Sequence, residues 1–477
     1  MTLIRSISGI RGTIGGAPGE GLTPLDIVRY TAAFAALMKK RPVDTVEQND
    51  RGARRPRMVL GMDARISGPM VADLVRGTLT GMGYDVIDLG LAATPTVEYA
   101  VPRERANGGI ILTASHNPGQ WNALKLLNEK GEFISANEGA EVLRIAEADE
   151  VRFAPVEELG TVRTSSGWTR KHIDDIVDLD LVDVEAIRAA NMRVVVDAVN
   201  SVGGECVPAL LTALGVLQVV EIHCIPTGIF PHNPEPLPEN LTDLCGAVVK
   251  HKAHLGIAVD PDVDRLALVC EDGSLFGEEF TLVACADHVL AHRPGDTVSD
   301  LSSTRALDDI AERHGRKRHA SAVGEVNVVE MMKAVKAPIG GEGNGGVILG
   351  ELHYGRDALV GIALFLTLLA KRGVSATELR KTYPDYVISK NKIELRAGMD
   401  VDGIVETMRT RHQEQPHSTV DGLRIEFGKS WVHLRKSNTE PIIRVYAEAA
   451  TKQDADALAG RILSELAEVA GIPVATG

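Results

Sequence analysis

Short apolar runs alternate with helical patterns along almost the whole chain, and this alternation restricts the fold more than any other feature. The runs include RMVLGMD (57–63), DVIDLG (85–90), GGIILTAS (108–115), MRVVVDA (192–198), GIAVD (256–260) and RLALVC (265–270). Between them lie helical stretches such as Val71 to Met82, Cys206 to Leu214 and Phe280 to Leu290. Strands that alternate with helices predict an α/β chain with largely parallel sheets. A length of 477 residues leaves room for about three domains, with four allowed. At 44% hydrophobic and 24% charged residues, the composition excludes disorder, collagen or coiled coil as a description of the whole chain.

Three strands end alike, in Asp followed four residues on by Ser or Thr: Asp63 and Ser67, Asp197 and Ser201, Asp300 and Thr304. Their recurrence at domain-sized intervals suggests an internal repeat. Composition marks seams around 150–165, around 226–240, where PTGIFPHNPEPLPEN must form an irregular loop, and near 373. Beyond 373, short strands such as GLRIEFG and WVHLRKS lead to an amphipathic helix, Ala455 to Ala470, which reads as a small α+β domain. The basic stretch Arg51 to Arg57 reads as a solvated turn.

There are 51 Lys and Arg against 65 Asp and Glu, a net charge of −14. Such a chain is not expected to bind nucleic acid, and an anionic ligand must be held by a local cluster of cations. The five cysteines form no CxxC pair, so neither a disulfide framework nor a cysteine zinc site is expected, and a cytoplasmic location fits. MTLIRSISGIRG lacks the apolar core of a signal peptide. Leu359 to Ala370 (LVGIALFLTLLA) is far shorter than the ~20 residues that span a bilayer, and reads as a buried helix.

Four segments carry chemistry. In Thr113-Ala114-Ser115-His116-Asn117-Pro118, a buried strand ends in a serine that the sheet fixes in place. His116 and Asn117 can orient its hydroxyl; the plain alternative is a satisfied turn. In Asp260-Pro261-Asp262-Val263-Asp264-Arg265, carboxylates at every second position can converge on one hard divalent cation. An EF-hand is excluded, because the sixth position is Arg265 rather than Gly and LALVC reads as strand. Gly341-Glu342-Gly343-Asn344-Gly345-Gly346 has the wrong spacing for a dinucleotide loop; Glu342 and Asn344 suit sugar hydroxyls, or the segment is a bare turn. Finally, Arg435-Lys436-Ser437-Asn438-Thr439-Glu440-Pro441, with Arg444, packs cations and small donors together as a phosphate clamp does. Arg65 and Lys125 are further cations that can face Ser115, and Ser8 to Gly12 reads as a flexible loop bearing Arg11.

In this order and spacing the four segments resemble the α-D-phosphohexomutase superfamily, over about residues 5 to 450. The resemblance implies four domains around a central cleft: three related mixed α/β domains and a smaller C-terminal α+β domain. With the seams above, the expected boundaries are 1–157 (phosphoserine loop), 158–255, 256–372 (metal and sugar loops) and 373–477 (phosphate loop). It also implies roles. Ser115 would carry a phosphoryl group and bind one Mg²⁺ together with Asp260, Asp262 and Asp264. His116, Arg11, Lys125 and Arg265 would complete the catalytic set. Glu342 and Asn344 would read the sugar; Arg435, Ser437, Asn438, Thr439 and Arg444 would hold the substrate's non-reacting phosphate. The reaction implied is interconversion of hexose 6- and 1-phosphates through a phosphoserine enzyme and a hexose 1,6-bisphosphate, with glucosamine phosphate first and mannose or glucose phosphate second. Its partner is a small phosphosugar, with no nucleic acid or membrane; oligomeric state is not legible.

Departures from the family pattern matter. Gly346 stands where a His is usual and Asn344 where a Ser is usual, a form that looks like an archaeal-type phosphoglucosamine mutase branch. An acid/base role for the missing His cannot be carried over, and His353 is the nearby substitute in sequence. The loop Val323 to Val328 lacks a cation common there, and Ala123 replaces a common Gly. Two rivals compete. GIAVDPDV fits haloacid-dehalogenase-type phosphatases, with Asp260 as nucleophile and Asp262 as general acid; a non-catalytic sugar-phosphate binder would keep the fold alone.

Overall fold

The computed structural model describes residues 2–6, 9–41, 55–148, 150–396, 398–436 and 442–472. The chain forms two compact units, Met1–Thr281 with Asn344–Leu379, and Leu282–Gly343 with Arg380–Gly477.

The first unit holds two sheets. The larger runs in the order Ile4–Ser6, Gly9–Thr13, Trp121–Leu127, Gly108–Leu112, Arg57–Met62, Asp85–Leu91, Val162–Thr164. Arg57–Met62 is parallel to both of its neighbours, whereas Trp121–Leu127 is antiparallel to Gly108–Leu112 and to Gly9–Thr13. The helices Pro24–Met38, Gly68–Gly81 and Ala136–Ala148 bury apolar residues in one core with this sheet, among them Phe34, Val75, Ile110 and Ile145. A capping box starts the first helix: Thr23 accepts from the Asp26 amide, and Asp26 accepts from the Thr23 amide. The helix Thr94–Arg103 lies tight on the strands. A Cβ at Gly61 would come 2.4 Å from Val97, and one at Gly109 2.7 Å from Val101. Only glycine permits that approach, and it brings Thr94 to the strand ends.

The second sheet runs Leu266–Cys270, Leu255–Val259, Arg193–Asp197, Gln218–Ile222, antiparallel only in its first pair. The boundary expected at 255/256 therefore runs through a hydrogen-bonded ladder, because Leu255–Val259 pairs along Arg193–Asp197. The aspartate loop hangs from this sheet. The helix Ala358–Arg372 is buried from Ala358 to Leu369, as its apolar run predicts. Among the described residues no helix is long and apolar enough to cross a membrane.

In the second unit, Arg318–Ser321, Thr297–Asp300 and Ile339–Glu342 form a parallel sheet. A separate antiparallel sheet runs Val387–Glu394, Ile442–Ala449, Ser430–Lys436, Leu423–Phe427, His417–Ser418. The helices Val401–Arg411 and Lys452–Ala470 close its core on Met408, Ile425, Val432 and Ile462.

The threefold echo is structural. Asp63, Asp197 and Asp300 are buried at strand ends, and each Oδ1 accepts from the amide two residues on, at 3.0, 3.0 and 2.8 Å. A carboxylate that caps its own turn in this way lets a parallel strand break directly toward a helix.

Candidate active site

Ser115 follows the fully buried strand Gly108–Leu112 and sits in the left-handed region at φ +48°. A hydrogen-bond chain holds it there. The Ser115 amide donates to Thr113 Oγ1 at 2.9 Å, and that hydroxyl donates to Asp63 Oδ2 at 2.7 Å. Arg65, fully buried, fixes the rest of the loop. Its guanidinium donates to Asp63 and to the carbonyls of Ser115, Asn117, Pro118 and Trp121. The cation expected to face the serine hydroxyl instead satisfies the loop's carbonyls, which would otherwise be buried unpaired.

The Ser115 hydroxyl donates to Asp260 Oδ2 at 2.7 Å. Asp260, Asp262 and Asp264 are fully buried, and ligand oxygens from all three lie within 4.8 Å of one another. Between them Val263 takes φ +63°, a conformation costly for a β-branched residue and retained here where the loop turns two carboxylates inward. Asp260 Oδ1 accepts from the amides of Asp264 and Arg265, both at 3.1 Å. Asp262 Oδ2 accepts from Thr94 Oγ1 and Lys125 Nζ, both at 2.6 Å. Asp264 Oδ2 accepts from Lys125 Nζ at 3.1 Å and Arg356 Nη2 at 2.8 Å. The other oxygens, Asp262 Oδ1 and Asp264 Oδ1, are buried with no hydrogen-bond partner.

That pattern fits a cation. Buried carboxylate oxygens are costly without partners, and two of them beside a third carboxylate and a hydroxyl are the hard oxygen donors that Mg²⁺ takes. The electrostatics agree. Burial and the repulsion of Asp264 and Asp262 push Asp260 well above the usual carboxylate range. Burial alone would raise Asp264 too, but Arg356, Lys125 and Arg265 outweigh it and hold Asp264 below that range. Lys125 loses stability as a cation through burial and regains more from Asp262 and Asp264, so its pKa rises. Burial, with Arg265 adding to it, drops His116 to about 3, so its imidazole is neutral near pH 7. His116 Nδ1 lies 3.4 Å from Ser115 Oγ. Arg265 donates to Glu235 Oε1 at 3.2 Å, and Arg11, paired across the ladder with Ala123, is lowered by burial and by Arg265.

The structure thus assembles Ser115, His116, Lys125, Asp260, Asp262, Asp264 and Arg265 in one unit, with Arg11 within electrostatic reach of Arg265. Sequence reasoning missed Thr94, Glu235 and Arg356. Asn344 belongs to the same unit, and its Oδ1 accepts from the Gly346 amide at 3.2 Å. The departure at Gly346 has a physical reason, since a Cβ there would sit 2.3 Å from Arg356 Cδ. Arg356 occupies the space a side chain at 346 would need. His353 faces Asp357 and Glu98, so its contacts do not support a substitute acid/base role.

The second unit holds the remaining residues. Glu342 is buried, accepts from the Gly324 amide at 3.1 Å, and faces Asp300, which burial and Glu342 push up to about 7. Arg435 and Arg444 are directly opposite on neighbouring strands, and Arg435 pairs with Asp421 at 3.0 Å. Ser437, Asn438 and Thr439 lie outside the described residues.

Family models for phosphoglucomutase/phosphomannomutase match the chain in series: alpha/beta/alpha domain I over 3–152, domain II over 170–273, domain III over 278–386 and the C-terminal domain over 389–465. A phosphoglucomutase/phosphomannomutase of Thermococcus kodakarensis is 35% identical, over 93% of this chain and 95% of its own. A phosphoglucosamine/phosphogalactosamine mutase of Sulfurisphaera tokodaii is 28% identical, over 97% of each. A solved phosphoglucomutase/phosphomannomutase family protein from Burkholderia thailandensis superposes with a TM-score of 0.82 at 25% identity, covering 98% of each chain. With four family models matched in series over most of its length, and a relative 35% identical over 93% of it, the chain belongs to the phosphoglucomutase/phosphomannomutase family.

Proposed function

We propose that this phosphohexomutase interconverts hexose 6-phosphate and hexose 1-phosphate through a phosphoryl group carried on Ser115, with glucosamine phosphate as the preferred substrate. The observation that carries the reading is the hydrogen bond from Ser115 to Asp260 beside two unpartnered carboxylate oxygens. Asp260, Asp262 and Asp264, with the phosphorylated serine, would hold one Mg²⁺, which supplies charge neutralisation to the phosphoryl oxygens. A sugar hydroxyl attacks phosphorus. As the new P–O bond forms, the bond to Ser115 Oγ breaks and the proton lost by the sugar hydroxyl is returned to Ser115 Oγ, leaving a hexose 1,6-bisphosphate. The bisphosphate turns over, and its other phosphoryl group returns to Ser115. Lys125, Arg265, Arg11 and Arg356 surround the site with positive charge, and phosphoryl transfer depends chiefly on such positioning and neutralisation.

In this reading Arg435, Ser437, Asn438, Thr439 and Arg444 hold the phosphate that is not reacting. A charge-based clamp accepts that phosphate from C1 or C6 alike. Glu342 and Asn344 read the sugar hydroxyls. The second reading is a phosphoglucomutase/phosphomannomutase, and the name of the Thermococcus relative favours it. A coupled assay on the 6-phosphates of glucosamine, mannose and glucose, primed with hexose 1,6-bisphosphate, decides. The highest kcat/KM on glucosamine 6-phosphate is expected; a preference for either neutral sugar would reverse the assignment.

A further inference from the structure

A second buried cluster lies in the first unit, built from three separate segments. The helix Thr94–Arg103 brings Thr96 and Glu98, the helix Trp168–Val177 brings His172, and the turn before Ala358–Arg372 brings His353 and Asp357. We propose that His172, His353 and Asp357 form a divalent-cation site of their own, suited to a borderline ion such as Zn²⁺ or Co²⁺. It is distinct from the aspartate loop and needs none of the cysteines.

Three observations converge. Asp357 Oδ2 lies 3.0 Å from His172 Nε2 and 3.2 Å from His353 Nε2, and donor atoms of the three residues lie within 4.8 Å of one another. Donors on a tetrahedral ion with bonds of about 2.0–2.1 Å are roughly 3.3 Å apart, so the spacing suits one. His172 is fully buried, and its Nε2 has no hydrogen-bond partner; the approach to Asp357 is close but misaligned for a proton. A buried nitrogen so placed, beside a carboxylate oxygen but not aligned with it, can share an ion with that oxygen.

The outward atoms of the two histidines differ. His172 Nδ1 is 3.2 Å from Thr96 Oγ1, and His353 Nδ1 faces Glu98 Oε2 at 3.7 Å. Thr96 behind His172 can accept from Nδ1–H, the tautomer that leaves Nε2 free for a metal, whereas His353 Nδ1 has no hydrogen-bond partner and His353 Nε2 meets Asp357 Oδ2, the bond an ion would replace. Asp357 uses Oδ1 to cap its helix, accepting from the Leu359 and Val360 amides at 2.8 and 3.3 Å, which leaves Oδ2 for the cluster. Gly355 closes the turn, since a Cβ there would collide with Glu98 at 1.9 Å. Arg356, next to Asp357, is the residue that reaches Asp264, so an ion here would pin the segment delivering that cation.

The test uses the full-length protein, stripped of metal by a chelator, returned to excess Mg²⁺ and titrated with Co²⁺. A visible four-coordinate Co²⁺ absorption band is expected, saturating at one equivalent per chain and displaced by Zn²⁺. His172→Gln and His353→Gln should each abolish it, whereas Asp262→Asn should leave it intact. Absence of a saturating band in the unmodified protein would overturn the proposal, as would a band that survives both histidine changes. Should a histidine variant fail to fold, Asp262→Asn still decides: a retained band supports the second site, and a lost one assigns the ion to the aspartate loop.

Discussion

Each unit buries carboxylates side by side, and the two treat them in opposite ways. In the first unit, Lys125 and Arg356 reach the aspartate loop directly and Arg265 adds to them, yet two carboxylate oxygens stay without hydrogen-bond partners. In the second, Asp300 and Glu342 are served by neutral donors, the Ser302 amide and Ser303 hydroxyl for one and the Gly324 amide for the other. Arg318 contributes only a minor lowering to Asp300, after burial and Glu342 have raised it. The contrast is one of purpose. A buried aspartate loop approached by cations, with two oxygens left unpartnered, is prepared for a metal and a phosphoryl group. A carboxylate pair in which the pKa of Asp300 is raised and both members meet neutral donors is prepared for hydroxyls that both donate and accept.

The sharpest break of this contrast is Ser115→Ala, which removes the group the charged cluster serves. Turnover should fall by about 10⁴-fold or more with the melting temperature nearly unchanged; steady-state kinetics and calorimetry together check it. Lys125→Met comes next. It strips a cation from two buried carboxylates at once, so we expect a stability loss of about 3–5 kcal/mol, measured by urea unfolding, along with a severe loss of kcat. Arg444→Ala probes the second unit's cation pair. Losing one charged contact to phosphate should raise KM by about 10- to 100-fold, with kcat affected less.

The smallest effect sharpens the comparison. The native pKa of Asp300, raised from 3.8 to about 7, means that the folded state binds more protons than the unfolded state between those values. Stability should therefore fall as pH rises through that window and level off above it. Glu342→Gln removes the repulsion and should flatten that slope, read as a smaller difference in melting temperature between pH 5 and pH 7.5.

What the sequence reveals of this site is what lies within one stretch of chain. Asp260, Asp262 and Asp264 are legible because alternate positions on a turn between two strands put three carboxylates on one side. Ser115 is legible because a buried strand leads into it. Arg356, Thr94 and Glu235 are not, because each arrives from a distant segment and its partner is set by tertiary packing alone. Arg65 shows the same limit, since its charge is visible in sequence but its commitment to the serine loop's carbonyls is not. The alternation of strands and helices predicts the layered architecture. It does not show that Leu255–Val259 continues the ladder of Arg193–Asp197, because strand order depends on contacts far apart in sequence. Gly346 reads as a missing side chain until Arg356 is seen filling its place.

Chemical trapping of the phosphorylated enzyme tests the central claim most directly. After incubation with hexose 1,6-bisphosphate bearing labelled phosphate, the denatured protein should carry label that withstands acid and hydroxylamine, and peptide mass spectrometry should place it on Ser115. Hydroxylamine-labile label mapping to Asp260 would contradict the account.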